Sequence, residues 1–180
     1  MKQNYLRRNF LKNSILATSG LILFPTIASA SNSNRRKANV LSHQTDIRRN
    51  LFGKQIEISG QIFDASGKNT LSGAQLEFWH LSPNSEELGH KGKLVTDENG
   101  RYHLTSDYPS QKKGTVTTVH FKVSKNEIIS ETELKVSEFD AFITGVHWEK
   151  NNQLKEDLLF PKHSKKDLKT EVTFNISLNN

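Results

Sequence analysis

Histidine and tyrosine carry most of the chemistry open to this sequence, which has seven His, three Tyr and no Cys. Without cysteine there is neither a disulfide scaffold nor a thiolate metal site. Nothing in it resembles a phosphate-binding glycine loop, a serine nucleophile elbow or a zinc His-Glu-x-x-His pair. His120 is the most informative residue. It stands in a stretch where Val119, Phe121 and Val123 alternate with Thr118, His120 and Lys122. Burying the first set puts the second on the opposite face of a strand. An imidazole there is either a ligand or a half-exposed strand residue, and alone it lacks the partners a metal site needs. Tyr102 alternates with Leu104 and reads as a core or flanking aromatic. Trp79-His80 ends a strand and enters a loop, with the indole a packing anchor rather than a substrate platform. His90, His103 and His147 show no pairing that spacing supports. The run of Lys162, Lys165 and Lys166 reads as a solvated face.

The elements that would hold these side chains are strands. Ile56, Ile58 and Ile62 share a period of two, as do Val172, Phe174, Ile176 and Leu178. Leu76 and Phe78 mark another strand, and Ile128 to Val136 one more. Asp64-Ala65-Ser66-Gly67 reads as a turn. Asp97-Glu98-Asn99-Gly100 carries Asn-Gly, a strong hairpin signal, between Lys93–Thr96 and Arg101–Thr105. Frequent turns between short strands predict an all-β sandwich with little helix. Residues 137–168 break the pattern and read as a long excursion with one short helix.

The N-terminus has its own logic. Leu6-Arg7-Arg8-Asn9-Phe10-Leu11-Lys12 matches a twin-arginine export pattern. An apolar stretch follows and ends in Ala28-Ser29-Ala30, a small-x-small cleavage site. The expected organisation is a signal over 1–30, a flexible basic arm over 31–50 and one domain over 51–180. The destination is the periplasm or the exterior, with no membrane span in the mature chain. The net charge of +6 invites a nucleic-acid reading. However, residues 1–30 hold four bases and no acid, and 31–50 five bases and one acid. The remaining chain holds sixteen bases and eighteen acids. A nucleic-acid binder carries its positive charge on the folded domain, so that function is excluded.

Four segments in order carry a family resemblance. They are SHQTDIRRNLFGKQIEISGQIFD (42–64), LSGAQLEFWHLSP (71–83), HKGKLVTDENGRYHLTSDYP (90–109) and GTVTTVHFKV (114–123). Together they resemble the intradiol ring-cleavage dioxygenases, especially their small exported forms, over about residues 42–136. The resemblance implies a β-sandwich of the intradiol dioxygenase type. It also implies a non-haem Fe(III) held by two Tyr and two His, which binds a catechol for cleavage between its hydroxyls. An Arg nearby assists the substrate.

Position by position, the resemblance puts the two ligand Tyr on Glu87 and Lys112. It puts the two ligand His on Thr118 and His120, and the Arg on Thr115. Tyr108 matches a non-ligand Tyr. Only His120 retains a family ligand. A hydroxyl and an ammonium are poor substitutes for phenolate and imidazole on a hard trivalent cation. The expectation is therefore that no iron is bound. The chain would then serve as a binding or interaction domain for a small aromatic ligand or a protein. The alternative is an active ring dioxygenase with a rearranged site, using His120 with Glu87, His80 or His90. A transthyretin-like or carboxypeptidase-regulatory-like sandwich, with no cleft at His120, is also open.

Overall fold

The computed structural model describes residues 42–83, 85, 89–109 and 114–179. The expected signal, the first part of the arm, Glu87 and Lys112 lie outside the described residues. The strands are β1 (Gln44–Asp46), β2 (Gln55–Phe63), β3 (Gln75–His80), β4 (His90–Val95), β5 (Arg101–Asp107) and β6 (Thr117–Lys125). They continue with β7 (Ile128–Val136), β8 (Ala141–Ile143), β9 (Lys162–Lys166), β10 (Lys169–Thr173) and β11 (Ile176–Ser177). The helices are α1 (Gly145–Asn151) and α2 (Glu156–Leu159).

These strands form two sheets. One runs β1-β5-β2-β10-β9, with β11 also on β2, and the other runs β4-β3-β6-β7-β8. The alternating sets face inward as expected. Ile56, Ile58 and Ile62 of the first sheet meet Leu76, Phe78, Val119, Phe121 and Val123 of the second in one core. Burial of such side chains contributes about 1.5–3 kcal/mol each. The Lys-rich strand β9 is an outer edge of its sheet, and Lys162, Lys165 and Lys166 are exposed there. Charge on an edge strand opposes pairing with another chain.

Three expectations need correction. The Asn-Gly turn is present, with Gly100 at φ 71° and the Asp97 carboxylate accepting from the Asn99 and Arg101 amides. Its two strands nevertheless lie in different sheets, because β4 pairs with β3 while β5 pairs with β1 and β2. Turn chemistry specifies a reversal, and the inward apolar residues decide which sheet each strand joins. Residues 42–50, expected as the end of a flexible arm, include β1, which pairs in parallel with β5. The Ile47 amide donates to Thr105 O, and the Arg49 and Asn50 amides donate to the Asp107 carboxylate. The segment 137–168 holds two helices and two strands rather than a single short helix. There Thr144 caps α1 by accepting from the His147 amide. Asn151 at its other end accepts from the Ser177 amide at 2.6 Å and so ties α1 to β11.

Tyr102 is a core residue, as its alternation predicts. It is 2% exposed, and its hydroxyl donates to the Phe174 carbonyl at 2.6 Å. Burial raises its pKa far above the ordinary tyrosine value. Tyr102→Phe leaves that carbonyl without its donor and is expected to lower stability by about 1–2 kcal/mol in urea unfolding.

Candidate functional site

The strand face bearing His120 is the outer face of the five-stranded sheet. Parity places Glu77 and Trp79 of β3, Thr118, His120 and Lys122 of β6, and Glu131, Glu133 and Lys135 of β7 together there. The register sets Trp79 opposite His120, and His120 opposite Glu133. Both contacts are made. The Trp79 and His120 rings stack, with centroids 5.5 Å apart and planes 8° apart. His120 Nδ1 lies 3.3 Å from Glu133 Oε1. Trp79 is thus a packing residue, but on the outside of the sheet and not in the core.

Charge fills the rest of this face. Lys135 Nζ donates to Thr118 Oγ1 at 2.6 Å. Lys93 pairs with Glu77 at 3.0 Å, and Lys122 with Glu131 at 3.9 Å. Such exposed cross-strand pairs contribute at most about 1 kcal/mol each. Their consequence here is chemical, because they pair or flank the donors that a metal would need. Shallow hollows flank Trp79. One of about 200 Å³ is lined by Trp79, His120, Thr132, Glu133, Val146 and Lys150. The other, of about 470 Å³, is lined by Trp79 with Glu77, Phe78, Lys91, Gly92 and Lys93.

His80 and His90 face the other way. In β3 the inward set is Leu76, Phe78 and His80, and His90 is the direct partner of His80 across the sheet. Both imidazoles are buried, at 1% and 2% exposure. They stack with centroids 5.0 Å apart. They therefore cannot join His120 in a rearranged metal site, since the sheet separates them from it. Among the described residues no three His, Asp or Glu side chains converge as metal donors.

The inner pair makes its own network. His80 Nδ1 donates to Leu81 O at 2.7 Å, and its Nε2 accepts from the Ser106 hydroxyl at 2.7 Å. Burial pushes His80 down to about 4. His90 Nε2 lies 2.8 Å from Asp107 Oδ2, and its Nδ1 lies 3.0 Å from Ser82 Oγ. Burial alone would raise the Asp107 carboxyl. Hydrogen bonds from the Arg49 amide, His90 and the Asn50 amide outweigh that and hold it below the ordinary value. Sequence spacing showed no such pairing. Parity could have revealed half of it, because His80 falls in step with Leu76 and Phe78. Two further histidines find a partner through one ring nitrogen. His147 meets Thr132 Oγ1 at 2.9 Å, and His103 lies 3.9 Å from Glu57.

No family model matches this sequence. Solved structures do. The dioxygenase domain of a dioxygenase–carbohydrate-binding fusion from the cellulolytic bacterium Streptomyces sp. SirexAA-E aligns with a TM-score of 0.52. That alignment has 18% identity and covers 76% of this chain and 88% of that one. Chlorocatechol 1,2-dioxygenase from Pseudomonas putida aligns with a TM-score of 0.52 and 17% identity, covering 78% of this chain and 66% of that one. Catechol 1,2-dioxygenase from Acinetobacter sp. ADP1, inhibited by bound mercury, aligns with a TM-score of 0.50 and 15% identity, covering 77% and 59%. The fold is that of the intradiol ring-cleavage dioxygenases. At these identities the likeness concerns the fold, and function lives in the side chains mounted on it. This chain spans 59% of the length of the Acinetobacter enzyme. Thr118 and His120 are neighbours on one face of β6, as the strand alternation predicts. Thr118 holds the ammonium of Lys135, and His120 is engaged by Trp79 and Glu133.

Proposed function

We propose that this chain is an exported binding domain built on the intradiol dioxygenase scaffold and that it does not carry out ferric ring cleavage. One observation carries the reading: Lys135 Nζ donates to Thr118 Oγ1, so a cation occupies the side chain that stands at a ligand-histidine position. The side chains present do not fit Fe(III). A neutral hydroxyl already bonded to an ammonium is a poor donor, and the resemblance puts lysine, Lys112, where a ligand tyrosine is expected. His120 then remains with Glu87 as the only donor partner from the family positions. The twin-arginine pattern of Arg7-Arg8 supports export of the folded chain.

The ligand this face suits best is a small aromatic molecule seated beside Trp79. The two hollows on its flanks, with lysines at their rims, support that assignment. Titrating catechol or protocatechuate into Trp148→Phe protein, in which Trp79 is the remaining indole, is expected to quench fluorescence saturably. In the same solutions an oxygen electrode is expected to read no uptake. Catechol-dependent uptake would overturn the reading. Phe52 and Phe139, 91% and 70% exposed, favour a protein as the ligand instead. In that case the titration stays flat.

A further inference from the structure

The geometry points to a second, unrelated chemistry: Ser82, His90 and Asp107 form a nucleophilic relay able to hydrolyse a carboxylic ester. It is independent of the binding surface on the outer face. Each part has a nucleophile's requirements. Ser82 Oγ lies 3.0 Å from His90 Nδ1, and His90 Nε2 lies 2.8 Å from Asp107 Oδ2. In the neutral ring Nε2–H serves the carboxylate, which leaves Nδ1 as a base toward the hydroxyl. Asp107 is in turn fixed by the Arg49 and Asn50 amides. The base and the carboxylate are buried, while Ser82 is half-buried. The order of exposure is that of a working relay, with the nucleophile outermost.

Two further features belong to the same place. A Cβ added at Gly89 would lie 2.1 Å from Ser82 Oγ, so the serine hydroxyl occupies space that only glycine leaves open. Arg49 Nη2 donates to Gly89 O at 2.6 Å, and Nη1 lies 3.6 Å from that same Cβ point. An exposed guanidinium therefore stands at the same glycine as the hydroxyl, where it can hold the oxygen of an ester carbonyl as negative charge develops. The substrate class is a small ester whose carbonyl reaches Ser82 from solvent.

The step balances with water as the only co-reactant. Ser82 Oγ bonds to the carbonyl carbon as its proton passes to His90 Nδ1. The carbon–alkoxide bond breaks, and the leaving alcohol takes that proton. Water then attacks the acyl-serine, again through His90, which releases the acid and restores the hydroxyl. His90 is the base and Asp107 a positioning residue.

The test is labelling of the full chain with a fluorophosphonate, read by intact and peptide mass, together with p-nitrophenyl acetate hydrolysis. One adduct on Ser82 is expected, with hydrolysis that Ser82→Ala abolishes. His90→Gln is expected to slow labelling by roughly 10²-fold or more. Gly89→Ala displaces only the end of a side chain, so it is expected to leave circular dichroism unchanged while labelling is lost. No adduct on Ser82 in folded protein overturns the proposal. So does labelling at an unchanged rate in Gly89→Ala, and that result stands even if His90→Gln fails to fold.

Discussion

Lowering the pH from 7 to 4 is expected to remove on the order of 3 kcal/mol of stability for each of two buried histidines, His80 and His147. Both are pushed from the ordinary 6.5 down to about 4, chiefly by burial. For His80 the Leu81 carbonyl opposes that shift, and for His147 the Leu159 backbone does so. Between those two values the unfolded chain binds protons that the folded chain refuses. Stability is therefore complete above about pH 6.5 and falls as acid is added. The slope is about 1.4 kcal/mol per pH unit for each histidine. Urea midpoints measured from pH 7 to 4.5 are expected to fall steadily, and His147→Gln to remove roughly half of the slope. A flat midpoint across that window would contradict the buried neutral state of both rings. The acid response follows from where the sandwich puts its imidazoles. His80 lies in line with the core residues of β3, and His147 packs its ring on Phe174 at 4.5 Å.

The second large effect comes from a residue with no side chain. Gly60 lies in β2 opposite the break between β10 and β11, and a Cβ there would stand 1.8 Å from the Phe174 carbonyl oxygen. That oxygen also accepts from the Tyr102 hydroxyl, and the Phe174 amide donates to Ser59 O. The obstacle is backbone, so it cannot swing aside as a side chain would. Gly60→Ala is expected to lower stability by roughly 3 kcal/mol, with a smaller urea midpoint and an unchanged slope. Gly145→Ala is the natural control, because nothing lies within 4 Å of its added Cβ. It is expected to be neutral or stabilising by a few tenths of a kcal/mol. If the two variants unfold at the same midpoint, the close approach at Gly60 is not a constraint on the fold.

The strands were legible because one buried face imposes a period of two, and Val119, Phe121 and Val123 obey it without exception. The same rule placed Thr118 and His120 side by side. What lay beyond it was anything requiring knowledge of the third dimension. Asn99-Gly100 announced a turn but not that the chain changes sheets there. Residues 137–168 alternate with neither period for long, since they are short pieces held by capping and side-chain bonds. The Thr144 cap and the bond that Asn151 accepts from the Ser177 amide are examples. The pairing of His90 with Asp107 joins residues seventeen apart on strands of different sheets, and that of Thr118 with Lys135 spans a hairpin. Neither leaves a spacing signature. The identity of a single residue, Thr118 where the resemblance implies histidine, was visible in the sequence. The lysine that claims its hydroxyl was not.

That lysine leads to the most direct measurement. Purified full-length chain, incubated with excess Fe(III) and desalted, can be assayed for iron per chain and for a visible phenolate-to-iron absorption band. The expected result is well under one iron per chain, no band, and no change when Lys135→Met removes the ammonium from Thr118. Stoichiometric iron with a visible band in the unmodified chain would contradict the proposal that this sandwich does not build the ferric site.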